Sequence, residues 1–112
     1  MPHSDALVIT LHITNYDVKR ILVDTGNLVD ILFMQPFLKM GLKHSILEPV
    51  SNTLIAFNGI QTVLIGCISL PVRAGEETIM TIFTIMDFPS PYNTIIGRTW
   101  LELMKAIPST YH

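Results

Sequence analysis

The chain has 112 residues, the length of one small domain. It is 49% hydrophobic and 14% charged, with a net charge of −2 and no Lys/Arg block, a balance that argues against a nucleic-acid reader or a domain held on an anionic membrane. Cys67 is its only cysteine, which excludes an intrachain disulfide and a thiolate zinc cluster, and His3, His12, His44 and His112 are scattered without ligand spacing.

Ala6 to Ile13 opens as a strand, with Leu7, Ile9, Leu11 and Ile13 alternating with Val8, Thr10 and His12. Asn15-Tyr16-Asp17 is predicted as a turn. Val18 to Val23 is predicted as a second strand that forms a hairpin with the first and runs straight into Asp24-Thr25-Gly26. Ile31-Leu32-Phe33 follows, then a short helical turn from Gln35 to Met40 that Gly41 can cap. Two β-prone runs, Thr53 to Phe57 and Ile60 to Ile65, flank Asn58-Gly59, the dipeptide that favours a tight type I′ hairpin turn. Cys67 to Val72 continues as strand, Gly75 turns the chain, and Thr78 to Met86 alternates as a further strand that Pro89-Ser90-Pro91 ends. Thr94-Ile95-Ile96 reads as a short buried strand ending at Gly97. Arg98 to Lys105 carries Trp100, Leu101 and Met104 at helical spacing, and Ala106 to Tyr111 is a candidate final strand.

Many short strands with hairpin turns and one short C-terminal helix make a mainly β domain, a closed or sandwiched barrel spanning residues 1–112. There is no linker, low-complexity tract or internal repeat. Mean hydropathy of +0.47 leaves apolar surface for a partner to cover. The apolar runs fall short of the ~20 residues that cross a bilayer, and no charged segment followed by an apolar one opens the chain. The expectation is an intracellular, cytoplasmic domain without a membrane partner, cut from a longer polyprotein.

The residue that stands out chemically is Asp24. It follows the apolar run Ile21-Leu22-Val23, where an acid is unexpected unless it is paired or hydrogen-bonded. Gly26 lets the backbone turn sharply and bring its N–H to the carboxylate, and the Thr25 hydroxyl can hold the loop. Asp-Thr-Gly alone is an ordinary turn as readily as a catalytic one. Its context is more specific. Val18 to Phe33 (VKRILVDTGNLVDILF), the Phe57-Asn58-Gly59 hairpin and Tyr92-Asn93-Thr94-Ile95-Ile96-Gly97-Arg98 occur in that order.

In these motifs, and in the ending from Trp100 to His112, the chain resembles the retropepsin-like aspartic proteases, and most closely the protease segment of plant Ty3/Gypsy-type retrotransposon polyproteins. The resemblance covers about Leu7 to His112. It implies that Asp24 is the catalytic aspartate, with Thr25 and Gly26 completing its signature. It implies that Phe57-Asn58-Gly59-Ile60 is the flap, a hairpin closing over substrate. Ile95-Ile96-Gly97 would be the element behind the catalytic loop, Arg98 an anchor for the helix and the dimer base, and Ala106 to Tyr111 a strand of the intersubunit sheet. Leu22, Asn27, Asn58, Gly59, Ile60 and Ile95 are the candidate substrate-binding residues, although buried core is an equal expectation for the apolar ones. Trp100 is expected as core.

The chemistry of the resemblance needs two carboxylates that share a proton, and no metal or cofactor. No second Asp-Thr-Gly or Asp-Ser-Gly exists; Asp5, Asp17, Asp30 and Asp87 all lack the glycine turn. The expected enzyme is therefore a homodimer cutting peptide bonds, its own polyprotein included, with Asp24 of each subunit on a two-fold axis. One position departs from the pattern: Asn27 stands where the family has Ser or Ala. It supports the alternative of a degenerate relative that keeps the fold as a dimerisation or peptide-binding module. A third possibility, an unrelated small β-barrel binding domain, leaves the ordered motifs as coincidence.

Overall fold

The computed structural model describes residues 4–7, 10–49, 54–57 and 60–106, with side chains described for 10–49 and 65–104. In chain order the strands are β1 (Ser4–Leu7), β2 (Leu11–Ile13), β3 (Tyr16–Val18), β4 (Ile21–Asp24), β5 (Asp30–Phe33), β6 (Leu54–Phe57), β7 (Ile60–Ala74), β8 (Glu77–Met86) and β9 (Thr94–Ile96). Helix α1 (Met34–Lys39) follows β5, a single 3-10 turn covers His44–Ile46, and α2 (Arg98–Ala106) follows β9. The strands make one sheet in the order β1-β4-β9-β5-β8-β7-β2-β3, with β6 paired on β7. The domain is mainly β, a half-barrel enclosed by curl. Among the described residues the sheet order is an open path ending at β1 and β3. No described helix is long and apolar enough to cross a membrane.

The alternation read from the sequence sets which side chains face inward. Leu11 and Ile13 are buried with His12 between them half-exposed. On β8, Thr81, Phe83 and Ile85 point into the core while Met80 and Ile82 point out, as a period of two requires. The main cluster joins Ile13, Ile21, Leu32, Phe37, Val72, Phe83, Ile85 and Ile96, with Trp100 of α2 packed against them. A smaller cluster of Ile31, Phe33, Met86 and Ile95 fills the other side of the central strands.

Several local expectations change. The strand expected over Ala6 to Ile13 is two, β1 and β2, with Thr10 outside both; β1 pairs with β4, and β2 with β3 and β7. The turn after β2 falls at Thr14-Asn15, with Thr14 at φ 56°, so Tyr16 and Asp17 belong to β3. The single strand expected over 18–23 is broken at Lys19-Arg20, where Arg20 also has φ 56°. The kink changes partners. Val18 pairs with Leu11 of β2, whereas Ile21 pairs with Leu7 of β1. Asn93 holds the kink from across the fold: its side-chain amide donates to Lys19 O at 2.7 Å and its backbone N–H to Arg20 O at 3.0 Å. A left-handed residue other than glycine persists only where its surroundings over-determine it, and these bonds do so.

At Gly41 (φ 79°) α1 ends as expected, with the Gly41 N–H donating to Leu38 O at 2.9 Å. Gly75 (φ 64°) turns β7 into β8. Phe57 pairs with Ile60, the register a two-residue connection requires; the type I′ turn expected at Asn58-Gly59 lies outside the described residues, as does all but the first residue of the strand expected over Ala106 to Tyr111, and that first residue is helical instead. Ala106 is the last residue of α2.

β9 is the strand that positions everything else. All three of its residues are buried, which is why it reads as an uninterrupted apolar run headed by a threonine. It lies between β4, to which it is parallel, and β5, to which it is antiparallel, so Ile95 has Leu22 on one side and Ile31 on the other. The loop from Thr25 to Val29 must therefore cross over the C-terminal end of β9.

Candidate active site

Asp24 closes β4, and the loop begins at its carboxylate. The Gly26 N–H donates to Asp24 Oδ1 at 3.0 Å, and the Asn27 N–H donates to the Asp24 carbonyl at 3.0 Å. Asp24 is half-buried, while Thr25 and Gly26 are exposed, so the carboxylate sits at the rim of the sheet and not within it. Asn27 is half-exposed, followed by two apolar side chains turned to solvent, Leu28 and Val29.

The loop rests on the segment that leaves β9. A Cβ at Gly97 would lie 2.5 Å from the carbonyl oxygens of both Asn27 and Val29, so only glycine fits beneath it. Beyond Gly97 the first turn of α2 offers donors that a helix start leaves unpaired. The Arg98 N–H donates to Asn27 O at 2.8 Å, and the Thr99 hydroxyl to Leu28 O at 2.5 Å. Below them, the buried Thr94 hydroxyl donates to Ile31 O at 2.5 Å. Arg98 thus anchors the loop through its backbone, and its side chain is exposed.

The remaining sequence candidates are placed as follows. Leu22 is partly buried against the smaller cluster, and Ile95, 1% exposed, closes that cluster behind it, so in the single chain Ile95 faces core and no open space. Ile96 is fully buried in the main cluster. Ile60 opens β7, with only its backbone described; Asn58 and Gly59 lie outside the described residues. Asn27 makes its bonds to Asp24 and Arg98 through its backbone, so neither depends on its side chain.

Asp30, which lacks a following glycine turn in the sequence, is also part of this site. It heads β5 at 2% exposure, and its Oδ1 accepts the Gly97 N–H at 2.7 Å. Burial pushes its carboxyl above the ordinary aspartate value, against a smaller downward pull from the Gly97 and Trp100 N–H groups. An acid at the head of an all-apolar strand was the available signal, since a carboxyl so placed needs donors. Asp24 and Asp30 are thus the two acids that flank one loop, with opposite environments. One is at the rim; the other is enclosed and occupied.

No sequence family and no curated protein matches the chain. Solved structures do. The retroviral protease-like domain of Ddi1 from Leishmania major superposes with a TM-score of 0.72 at 20% identity, covering 96% of this chain and 83% of that one. EIAV protease, solved with the inhibitor HBY-793, gives a TM-score of 0.68 at 18% identity, with 94% and 93% covered. A retropepsin-like aspartic protease from Rickettsia conorii gives 0.63 at 17% identity, with 97% and 83% covered. The fold is retropepsin-like.

Proposed function

We propose that the chain is one subunit of an aspartic endopeptidase whose active site forms when two copies bring their Asp24 carboxylates together. The observation that carries this reading is the state of the two acids that flank the loop. Asp24 is at the rim with its Oδ1 oriented by the Gly26 N–H, whereas Asp30 is enclosed with its Oδ1 taken by the Gly97 N–H. Asp30 cannot serve as the second acid, so a second copy supplies it. The exposed Leu28 and Val29 beside Asp24 offer apolar surface for a partner chain or substrate to cover.

Two carboxylates in contact cannot both ionise and hold one proton between them. The ionised member takes a proton from a water, which attacks the scissile carbonyl; the protonated member donates to the carbonyl oxygen as it becomes tetrahedral. The intermediate collapses as the amine accepts a proton, and no covalent acyl-enzyme arises. A peptide lies extended between the loops and the β6–β7 hairpin, adding a strand through main-chain bonds. Asn27 and Leu22 line the cleft from below, and Asn58, Gly59 and Ile60 cover it, with Ile95 backing the wall. The order of motifs supports a polyprotein as the substrate, the chain's own included, as in Ty3/Gypsy-type elements.

The test is cleavage of a peptide library at mildly acidic pH by wild type and Asp24→Asn, followed on dilution. Activity that depends on Asp24 and falls more steeply than enzyme concentration is the expected result. A folded, dimeric wild type that cuts nothing would overturn the reading.

A further inference from the structure

We propose that Asp30 is the positioning residue of the catalytic loop: its carboxyl group, reaching over from β5, caps α2 in place of the side chain that Gly97 cannot have, and so fixes where the loop holds Asp24. The kinetic part rests on the endopeptidase reading above; the placement of the loop does not.

The start of a helix leaves N–H groups without partners, and a Ser, Thr, Asp or Asn immediately before the first turn usually accepts one of them. In α2 that position is Gly97, and a Cβ there would meet Asn27 O and Val29 O at 2.5 Å. The close crossing that makes glycine obligatory therefore removes the helix's own cap. Asp30 supplies it from a residue distant in sequence. Its Oδ1 accepts the Gly97 N–H at 2.7 Å, and the group is 2% exposed.

The same first turn holds the loop. Arg98 N–H reaches Asn27 O, and the Thr99 hydroxyl reaches Leu28 O. Asn27 in turn donates its N–H to Asp24 O. A displacement of the α2 start is thus passed to Asn27 and Leu28 by direct bonds, and one bond further to Asp24. Asp30 is the side-chain acceptor in a set of acceptors otherwise made of backbone carbonyls. It does not reach the reacting atoms, since it is enclosed; its effect on catalysis runs through the loop.

The experiment compares Asp30→Asn, which keeps a carbonyl oxygen as acceptor, with Asp30→Ala, which leaves the Gly97 N–H without this acceptor. Steady-state kinetics on the wild-type peptide substrate are measured alongside amide exchange at Asn27 and Arg98 in the intact chain. For Asp30→Asn the expected kcat stays within about twofold of wild type. For Asp30→Ala kcat falls on the order of 10²-fold at little-changed KM, as misplacement of a catalytic group by about 1 Å does, and exchange at Asn27 and Arg98 quickens. A folded Asp30→Ala with wild-type kcat and exchange would overturn the proposal. So would a folded Asp30→Asn as slow as the alanine variant, because charge and not acceptance would then matter. If Asp30→Ala does not fold, Asp30→Ser takes its place with its shorter arm, and wild-type kcat in that variant overturns the proposal equally. Should wild type cut no peptide at all, the endopeptidase reading fails, and the exchange rates alone decide whether Asp30 holds the loop.

Discussion

A Cβ on Gly97 would stand 2.5 Å from the carbonyl oxygen of Asn27, so the strand carrying Ile95 and Ile96 passes under the loop carrying Asp24 only because residue 97 has no side chain. The contact is backbone against backbone, so no rotamer change can relieve it. Gly97→Ala must push the loop away from α2 and strain its bonds with Arg98 and Thr99. We expect a loss of about 1–3 kcal/mol, the usual cost of overpacking, together with loss of peptide cleavage. Chemical denaturation and a peptide assay would measure both, and a variant of wild-type stability and activity would show that the loop does not sit as described.

Asp24→Asn separates chemistry from structure. The asparagine oxygen can still accept the Gly26 N–H, so the loop and the proposed dimer should persist. General acid–base catalysis contributes roughly 10²–10⁴-fold, and kcat should fall by at least about 10³-fold. Sedimentation and kinetics on the same sample would check this; cleavage by the mutant at wild-type rate would exclude the two-aspartate mechanism.

Asn93 ties the Lys19-Arg20 kink to the central strands. Its side-chain amide donates to Lys19 O, its N–H to Arg20 O, and its carbonyl accepts from Phe33 N–H at 3.2 Å. Asn93→Ala keeps the backbone bonds and removes the bond to Lys19 O. With Arg20 held at a positive φ, the expected cost is about 1–2 kcal/mol, more than one hydrogen bond on an open surface. Urea unfolding of the variant provides the number, and a change below about 0.3 kcal/mol would mean the kink holds itself.

The Asp30 carboxyl gives stability a pH dependence with a definite sign. Burial raises its value in the folded chain, so between the unfolded and folded values the folded state keeps a proton that the unfolded chain has released. Its stabilising contribution is complete below the unfolded value and disappears as pH rises through the folded one. The melting temperature of wild type minus that of Asp30→Asn should therefore fall from acid towards neutral pH. A difference that stays flat, or that rises with pH, would contradict the enclosure of this group.

A core substitution tests the inward face assigned by alternation. Phe83 is fully buried between β5 and β7, its neighbours on β8 pointing the other way. Phe83→Ala should cost about 3–5 kcal/mol, whereas Ile82→Ala, at a position 67% exposed, should change stability by less than about 1 kcal/mol. Equal losses at the two sites would mean that β8 is turned over.

Features that depend on near neighbours are legible in the order of residues. The period of two in β2 and β8, the glycine turns at 41 and 75, the buried Thr94-Ile95-Ile96 run and the glycine within Asp24-Thr25-Gly26 are all local, because alternation and left-handed turns are set within a few residues. Which strand each segment pairs with, and what Asp30 does, depend on contacts between distant parts of the chain. A strand expected over 18–23 breaks at Arg20 because β2 and β1 compete for its two halves, and the break is held by Asn93 from far along the chain. Asp30 looked like one more acid without a glycine turn; its role exists only because β9 runs between β4 and β5 and delivers the uncapped start of α2 to its carboxyl. Hydrogen bonds between residues so far apart in the chain leave no spacing to read, since nothing in the order of residues encodes which buried donor will meet which buried acceptor until the sheet has closed around both.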